Sequence, residues 1–174
     1  MAADILKTLK DEHDQLRDLF EQMEKTTERA EKGRLDLLEK IKQGLIPHAV
    51  WEEEVFYPAF KERADRDGLK SHAEAIAEHR AVELRVLPDL EAASPTTTEF
   101  AGRAKVLGEF VDHHAKEEES TMFKMARSMF NTEERAQMDN QYREWKGSSA
   151  AVSSIEKALQ KGAEANRTNP PPNS

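Results

Sequence analysis

Four long stretches of this chain carry apolar residues at alternating steps of three and four, and each stripe runs through a histidine. That spacing lays a continuous apolar face along an α-helix. The first stretch, 4–31, reads Ile5, Leu9, His13, Leu16, Phe20, Met23, with Gly33 as its stop. The second, 34–66, reads Leu38, Ile41, Leu45, His48, Glu52, Val55, Ala59. Pro47 and Pro58 lie inside it, so a kink is expected just before His48. The third, 69–92, reads Leu69, His72, Ile76, His79, Val82 or Glu83, Val86, Leu90, with Pro88 disturbing its last turns. The fourth, 98–129, reads Phe100, Ala104, Leu107, Val111, His114, Glu118, Thr121, Met125. Asn131-Thr132-Glu133-Glu134 opens a short fifth helix over 132–146. Four amphipathic helices joined by short turns predict an all-α, antiparallel up-down four-helix bundle with its core in 4–130. Residues 1–146 read as one domain. Residues 147–174, rich in Ser, Ala, Asn and Pro, read as a flexible tail, disordered at least over 165–174.

Polar groups on those stripes need a reason, because a buried imidazole or carboxylate is costly unless paired or bound to metal. One histidine on a stripe is ordinary; His13, His48, His79 and His114 fall one per helix and at matching depth. Two of them are followed four residues later by a glutamate, which on a helix points the same way. The segments from His48 to Tyr57 and from His114 to Phe123 share one frame: His, three residues, Glu-Glu, three residues, aromatic. The frame selects His114 over His113 and Glu118 over Glu117. His113 is rotated about 100° from that face. His72 lies two turns from His79, too far along the axis to share a site. Four imidazoles and two carboxylates exceed one tetrahedral zinc and suit two borderline metals, with carboxylates bridging and imidazoles terminal. Iron is compatible with both donor types. A ferritin-like centre fits less well, since it wants Glu-x-x-His and more glutamates.

Composition narrows the partners. A net charge of -8 argues against nucleic acid, which requires a basic surface. There is no cysteine, which excludes disulfides, thiolate zinc sites and iron–sulfur clusters. The start, Met-Ala-Ala-Asp-Ile-Leu-Lys, turns charged too early for a signal peptide, and no apolar run approaches a membrane span. The expectation is a cytoplasmic protein with no membrane partner.

Asp11-Glu12-His13-Asp14, the two His-x-x-x-Glu-Glu segments and Ala77-Glu78-His79-Arg80 together resemble the hemerythrin-like, His-His-Glu cation-binding family over residues 1 to about 130. The resemblance implies a non-haem di-iron centre. Glu52 and Glu118 would bridge with an oxo or hydroxo group, and His13, His48, His79 and His114 would be terminal ligands. The oxygen-carrying members of that family resemble His-x-x-x-His on the third helix and His-x-x-x-x-Asp on the fourth. Here Ala75 stands four before His79, and the last acid is a glutamate at offset four. One iron therefore lacks an imidazole, and Glu83 or Tyr57 is the candidate to replace or support it.

The expected function is the handling of a small oxidant, namely dioxygen, peroxide or nitric oxide. Catalase- or peroxidase-like activity is one form of it. The missing imidazole favours redox chemistry or sensing over storage of oxygen, with an oxygen carrier or iron store without catalysis as an alternative. A metal-responsive regulatory module, with Tyr142 and Trp145 of the fifth helix as its transmitting element, is the alternative. A bundle without metal is the third.

Overall fold

The computed structural model describes residues 3–170. Among them there is no strand, and the chain folds into six helical rods. The first is α1 (Ile5–Glu24), whose N-terminus is capped by the Asp4 side chain. The second joins α2 (Glu31–Trp51) to α3 (Tyr57–Arg63) through a π-helical turn, Glu52–Phe56. The third joins α4 (Arg66–Ala81) to α5 (Leu87–Ala92) through a π turn, Val82–Val86. The fourth joins α6 (Thr98–Glu117) to α7 (Phe123–Met129) through a π turn, Glu118–Met122. These four form the antiparallel bundle. Helices α8 (Thr132–Lys146) and α9 (Ser149–Thr168) pack on its outside. None of the helices of the described residues is long and apolar enough to cross a membrane.

Two features of the helices differ from the sequence reading. α1 ends at Glu24, and Gly33 lies inside α2, where its backbone is ordinary helix, rather than at a stop. Pro47 does not interrupt α2, which runs unbroken to Trp51. The irregularity comes later, in the π turns.

Each π turn inserts one residue into a helical turn, closing i→i+5 bonds in place of i→i+4. Tyr57 N–H reaches Glu52 O, Leu87 N–H reaches Val82 O, and Phe123 N–H reaches Glu118 O. Beyond each insertion the buried face therefore moves on by one residue. After Glu52 the buried residues are Phe56, Tyr57 and Phe60, where an unbroken α-helix would bury Val55 and Ala59. After Glu118 they are Met122, Phe123 and Ala126, in place of Thr121 and Met125. The same wide turns accommodate Pro58 and Pro88, each at the second position of the helix that follows.

The core is divided. One apolar cluster holds Leu9, Trp51, Phe56, Phe60, Met122 and Phe130. The other holds Leu16, Ile41, Leu45, Leu90, Phe100 and Leu107. Between them, at one level of the bundle, lie the buried His13, His48, Glu52, His79, His114 and Glu118.

The stretch 149–168, expected as part of a flexible tail, is instead a helix docked over α2, α5 and the π turn at 82–86. Its less exposed residues, among them Ala151, Ser154, Ile155, Ala158, Gly162 and Ala165, recur at helical spacing. They are mostly small, so composition hid an amphipathic stripe whose docking comes from close approach and not from bulk. At Gly162 an added Cβ would sit 2.9 Å from Glu83 O and 3.3 Å from Pro88 Cγ. Alanine's high helix propensity supports the rest. Ser148 caps the start, and Asn166 Nδ2 donates to Pro88 O at 3.2 Å. Of the expected disordered stretch, residues 171–174 lie outside the described residues.

α8 is held to α1 by Asp139, which is fully buried and accepts from Thr8 Oγ1 and from Arg143 Nε. A capping box between Asn131 and Glu134 fixes its start, as the sequence pattern implies.

Candidate metal centre

The polar layer is built from two equal halves of the chain. Glu12-His13 and His48-x-x-x-Glu52-Glu53 recur as Glu78-His79 and His114-x-x-x-Glu118-Glu119, each position 66 residues from its counterpart. Each half contributes one pair of facing imidazoles. His13 Nε2 lies 3.0 Å from His48 Nε2, and His79 Nε2 lies 3.0 Å from His114 Nε2.

The two glutamates join the pairs. Glu52 Oε1 is 3.1 Å from His48 Nε2, and its Oε2 is 3.5 Å from His79 Nε2. Glu118 Oε2 is 3.5 Å from His13 Nε2 and 3.7 Å from His114 Nε2. Two groups of donors result: His13, His48, Glu52 and Glu118 in one, and Glu52, His79 and His114 in the other. Glu52 belongs to both, with one oxygen toward each, which is the geometry of a bridging carboxylate. The structure thus brings all six sequence candidates together.

Every imidazole is also held from behind. His48 Nδ1 bonds Glu12 at 2.8 Å and His114 Nδ1 bonds Glu78 at 2.7 Å. His13 Nδ1 bonds Glu119 and His79 Nδ1 bonds Glu53, both at 3.0 Å. A carboxylate on Nδ1 fixes the proton there and turns the Nε2 lone pair inward, as ligand histidines require. These four outer acids stand next to ligands in sequence, yet each serves a histidine on another helix. Sequence adjacency was the available signal; the cross-helix pairing was not visible in it.

The layer is short of positive charge. Glu52 Oε1 and Oε2 and Glu118 Oε2 are buried and accept no hydrogen bond. Buried unpaired carboxylate oxygens are costly, and Nε2 lone pairs facing each other across 3.0 Å repel. A cation between them removes both penalties, so the donors fit a metal. Without one, protons do the balancing. Burial opposes charge on His48, but Glu52 and Glu12 lift its pKa to about 10. His114 is raised in the same way by Glu118 and Glu78. Burial would raise the Glu12 carboxyl, but His48 and Lys146 hold it down at about 2.

Tyr57 lies inside the layer. Its fully buried hydroxyl donates to Glu118 Oε1 at 2.8 Å and stands 3.2 Å from His79 Nε2 and 3.4 Å from His114 Nε2. The π turn puts it there, since it makes Tyr57, and not Phe56, the residue one full turn beyond Glu52. Burial and the charge of Glu118 push the phenol pKa far up. Phe123, its counterpart, stacks on His13 with ring centroids 5.9 Å apart. The phenol therefore stands only at the His79–His114 side.

Glu83 is not brought to the cluster. Its carboxylate faces Lys161 of α9 at 3.5 Å, because the π turn starting at Val82 swings that segment toward α9. His113 is exposed and His72 carries no other donor of the layer. A surface grouping of Glu78, His113 and Glu117 lies outside the layer. A cavity of about 200 Å³ reaches all four imidazoles beneath α9, lined by Leu45, Val82, Leu87, Val111 and Ala158 among others.

Residues 4–126 match the model of the hemerythrin HHE cation-binding domain. The chain belongs to this family. All six inward donors and all four outer acids of the hemerythrin layer fall within the matched segment; α8 and α9 fall outside it. Among curated proteins, a DNA nickase of Nostoc sp. (strain PCC 7120) is 29% identical over 120 residues, covering 69% of this chain and 31% of the relative. The chain thus spans about a third of that protein. No solved structure matches significantly.

Proposed function

We propose that this hemerythrin-family protein carries a non-haem di-iron centre and uses it on a small oxidant: dioxygen, peroxide or nitric oxide. The supporting observation is the pair of donor groups that share Glu52, each imidazole already oriented by a carboxylate. When bound, two irons would supply redox equivalents and an open position for a small molecule. Glu52 and Glu118 hold the two positions together. Tyr57 occupies the side where the third helix lacks a second histidine, and in this reading it, not Glu83, supplies or orients the extra donor. Its hydroxyl proton can pass to Glu118 Oε1 along the existing hydrogen bond.

The cavity supports a small substrate, because its surface is mainly apolar around the four imidazoles and α9 roofs it. The name of the Nostoc relative refers to DNA. A net charge of -8 opposes contact of this chain with such a polyanion. In this reading the protein works in the cytoplasm.

Metal content with an optical spectrum is the test. Two irons per chain, with the bands of an oxo-bridged diferric centre and consumption of peroxide, are expected. Iron-supplied protein that purifies without iron refutes the reading.

A further inference from the structure

Three of the chain's four tyrosines and tryptophans meet at one place beside the polar layer. Ring centroids of Trp51 and Tyr142 are 5.1 Å apart, those of Trp51 and Trp145 are 5.6 Å apart, and those of Tyr142 and Trp145 are 6.2 Å apart. Trp51 and Tyr142 are buried, while Trp145 is half-buried and reaches the surface. Tyr142 Oη donates to Glu12 Oε2 at 2.8 Å, the same oxygen that holds His48 Nδ1 at 2.8 Å. Trp51 is the chain neighbour of Glu52. An unbroken line of ring contacts and hydrogen bonds thus runs from the surface to a ligand imidazole.

Apolar packing alone does not call for this arrangement. A buried phenol needs an acceptor, and Tyr142 takes the very oxygen that holds His48 Nδ1, which ties the ring cluster to the layer. The pseudo-symmetric acid, Glu78, has no tyrosine or tryptophan bonded to it among the described residues; its other oxygen lies 3.5 Å from Nε2 of the exposed His113. The aromatic cluster is thus built on one side only, by α8, which lies outside the family-matched segment.

We infer that Trp145, Tyr142 and Trp51 form a proton-coupled electron relay linking the surface to the metal centre through Glu12 and His48. The inference rests on the redox reading above, in which peroxide or dioxygen oxidises the centre. Tyr142 then gives one electron inward and its phenolic proton along the hydrogen bond to Glu12 Oε2, leaving a neutral phenoxyl radical. Trp145 returns one electron to that radical, directly or through Trp51, as the proton comes back from Glu12. A soluble one-electron reductant at the surface restores Trp145. In sum, one electron moves from the reductant to the centre and no proton is displaced. Tyr142 is fully buried, so the reductant cannot reach it directly and Trp145 is the entry point.

The test uses the full-length chain loaded with zinc, which holds the ligands and is redox-silent. A photogenerated ruthenium(III) polypyridyl oxidant removes an electron at the surface, and electron paramagnetic resonance identifies the radical. A tyrosyl signal is expected in the native chain. It should be lost in Tyr142→Phe, where only a tryptophanyl signal remains. It should also be lost in Trp145→Phe. Helicity and zinc content confirm that each variant is folded. A tyrosyl signal that survives Tyr142→Phe or Trp145→Phe, or that never forms, overturns the relay. The zinc-loaded result does not depend on iron, so its failure sinks the relay and leaves the di-iron reading standing.

Discussion

Glu12 is the most heavily committed of the four outer acids, and its removal tests the logic of the layer. One oxygen accepts from both His48 Nδ1 and Tyr142 Oη, and the other accepts from Lys146 Nζ at 2.7 Å. Glu12→Ala strands a buried imidazole and a buried phenol. Each charge-assisted bond is worth about 1.5–3 kcal/mol, so the two buried ones together contribute roughly 3–6 kcal/mol. The Lys146 contact adds little, because that side chain is 38% exposed. Glu78→Ala loses one such bond, to His114, so about half the stability cost is expected. Metal affinity should fall about 10- to 100-fold in both, since each variant releases one ligand imidazole. Glu12→Gln keeps an acceptor for both donors and should recover most of the stability. Urea unfolding gives the first quantity, and competition with a chelator gives the second. Native-like metal affinity in Glu12→Ala, or a larger loss of stability in Glu78→Ala, would refute the assigned roles.

Other consequences are open to direct measurement. In metal-free protein the Glu12–His48 pair should make stability peak between its two titrations. The Glu12 contribution is present above pH 4.5 and is lost as pH falls through about 2. The His48 contribution is present below pH 6.5 and is lost as pH rises through about 10. Urea midpoints that stay flat between pH 3 and pH 9 would contradict this. Tyr57→Phe should retain iron and lose any broad visible band arising from phenolate, while Glu118→Ala loses iron and His113→Ala retains it; metal analysis and absorption spectra decide. Gly162→Ala should loosen α9, because its Cβ meets backbone at 2.9 Å, and overpacking of this kind costs about 1–3 kcal/mol. Limited proteolysis should then cut within 147–170 well before the bundle, and equal resistance in both proteins would count against the docking.

The four-rod plan was legible in the sequence from period alone, and the six inward donors from period together with the repeated His-x-x-x-Glu-Glu frame. His48 and Glu52, or His114 and Glu118, need only one ordinary turn of helix between them. Legibility failed where the backbone left that period. Val55, Ala59, Thr121 and Met125 continue the stripe on paper, yet the π turns pass burial to the next residue along. Two such turns also set apart Tyr57, drawn into the layer after Glu52–Phe56, and Glu83, turned toward α9 within Val82–Val86. Nothing in the pattern announces a π turn, since it is stabilised by what the shifted face meets. The outer acids were half visible, adjacent to ligands in sequence but paired across helices. α9 was invisible for a different reason: its contact stripe of Ala, Ser and Gly carries almost no hydropathy signal.

The exchange of acids between the two halves has a consequence for how the molecule can come apart. One imidazole pair comes wholly from the first half and the other wholly from the second, but Glu52 and Glu118 each reach across to the opposite pair. Neither half can close a binding position alone. In the di-iron reading, a metal at either position would work as a clasp between the halves. Stripping one should loosen the grip on the other, so the two sites are expected to empty together.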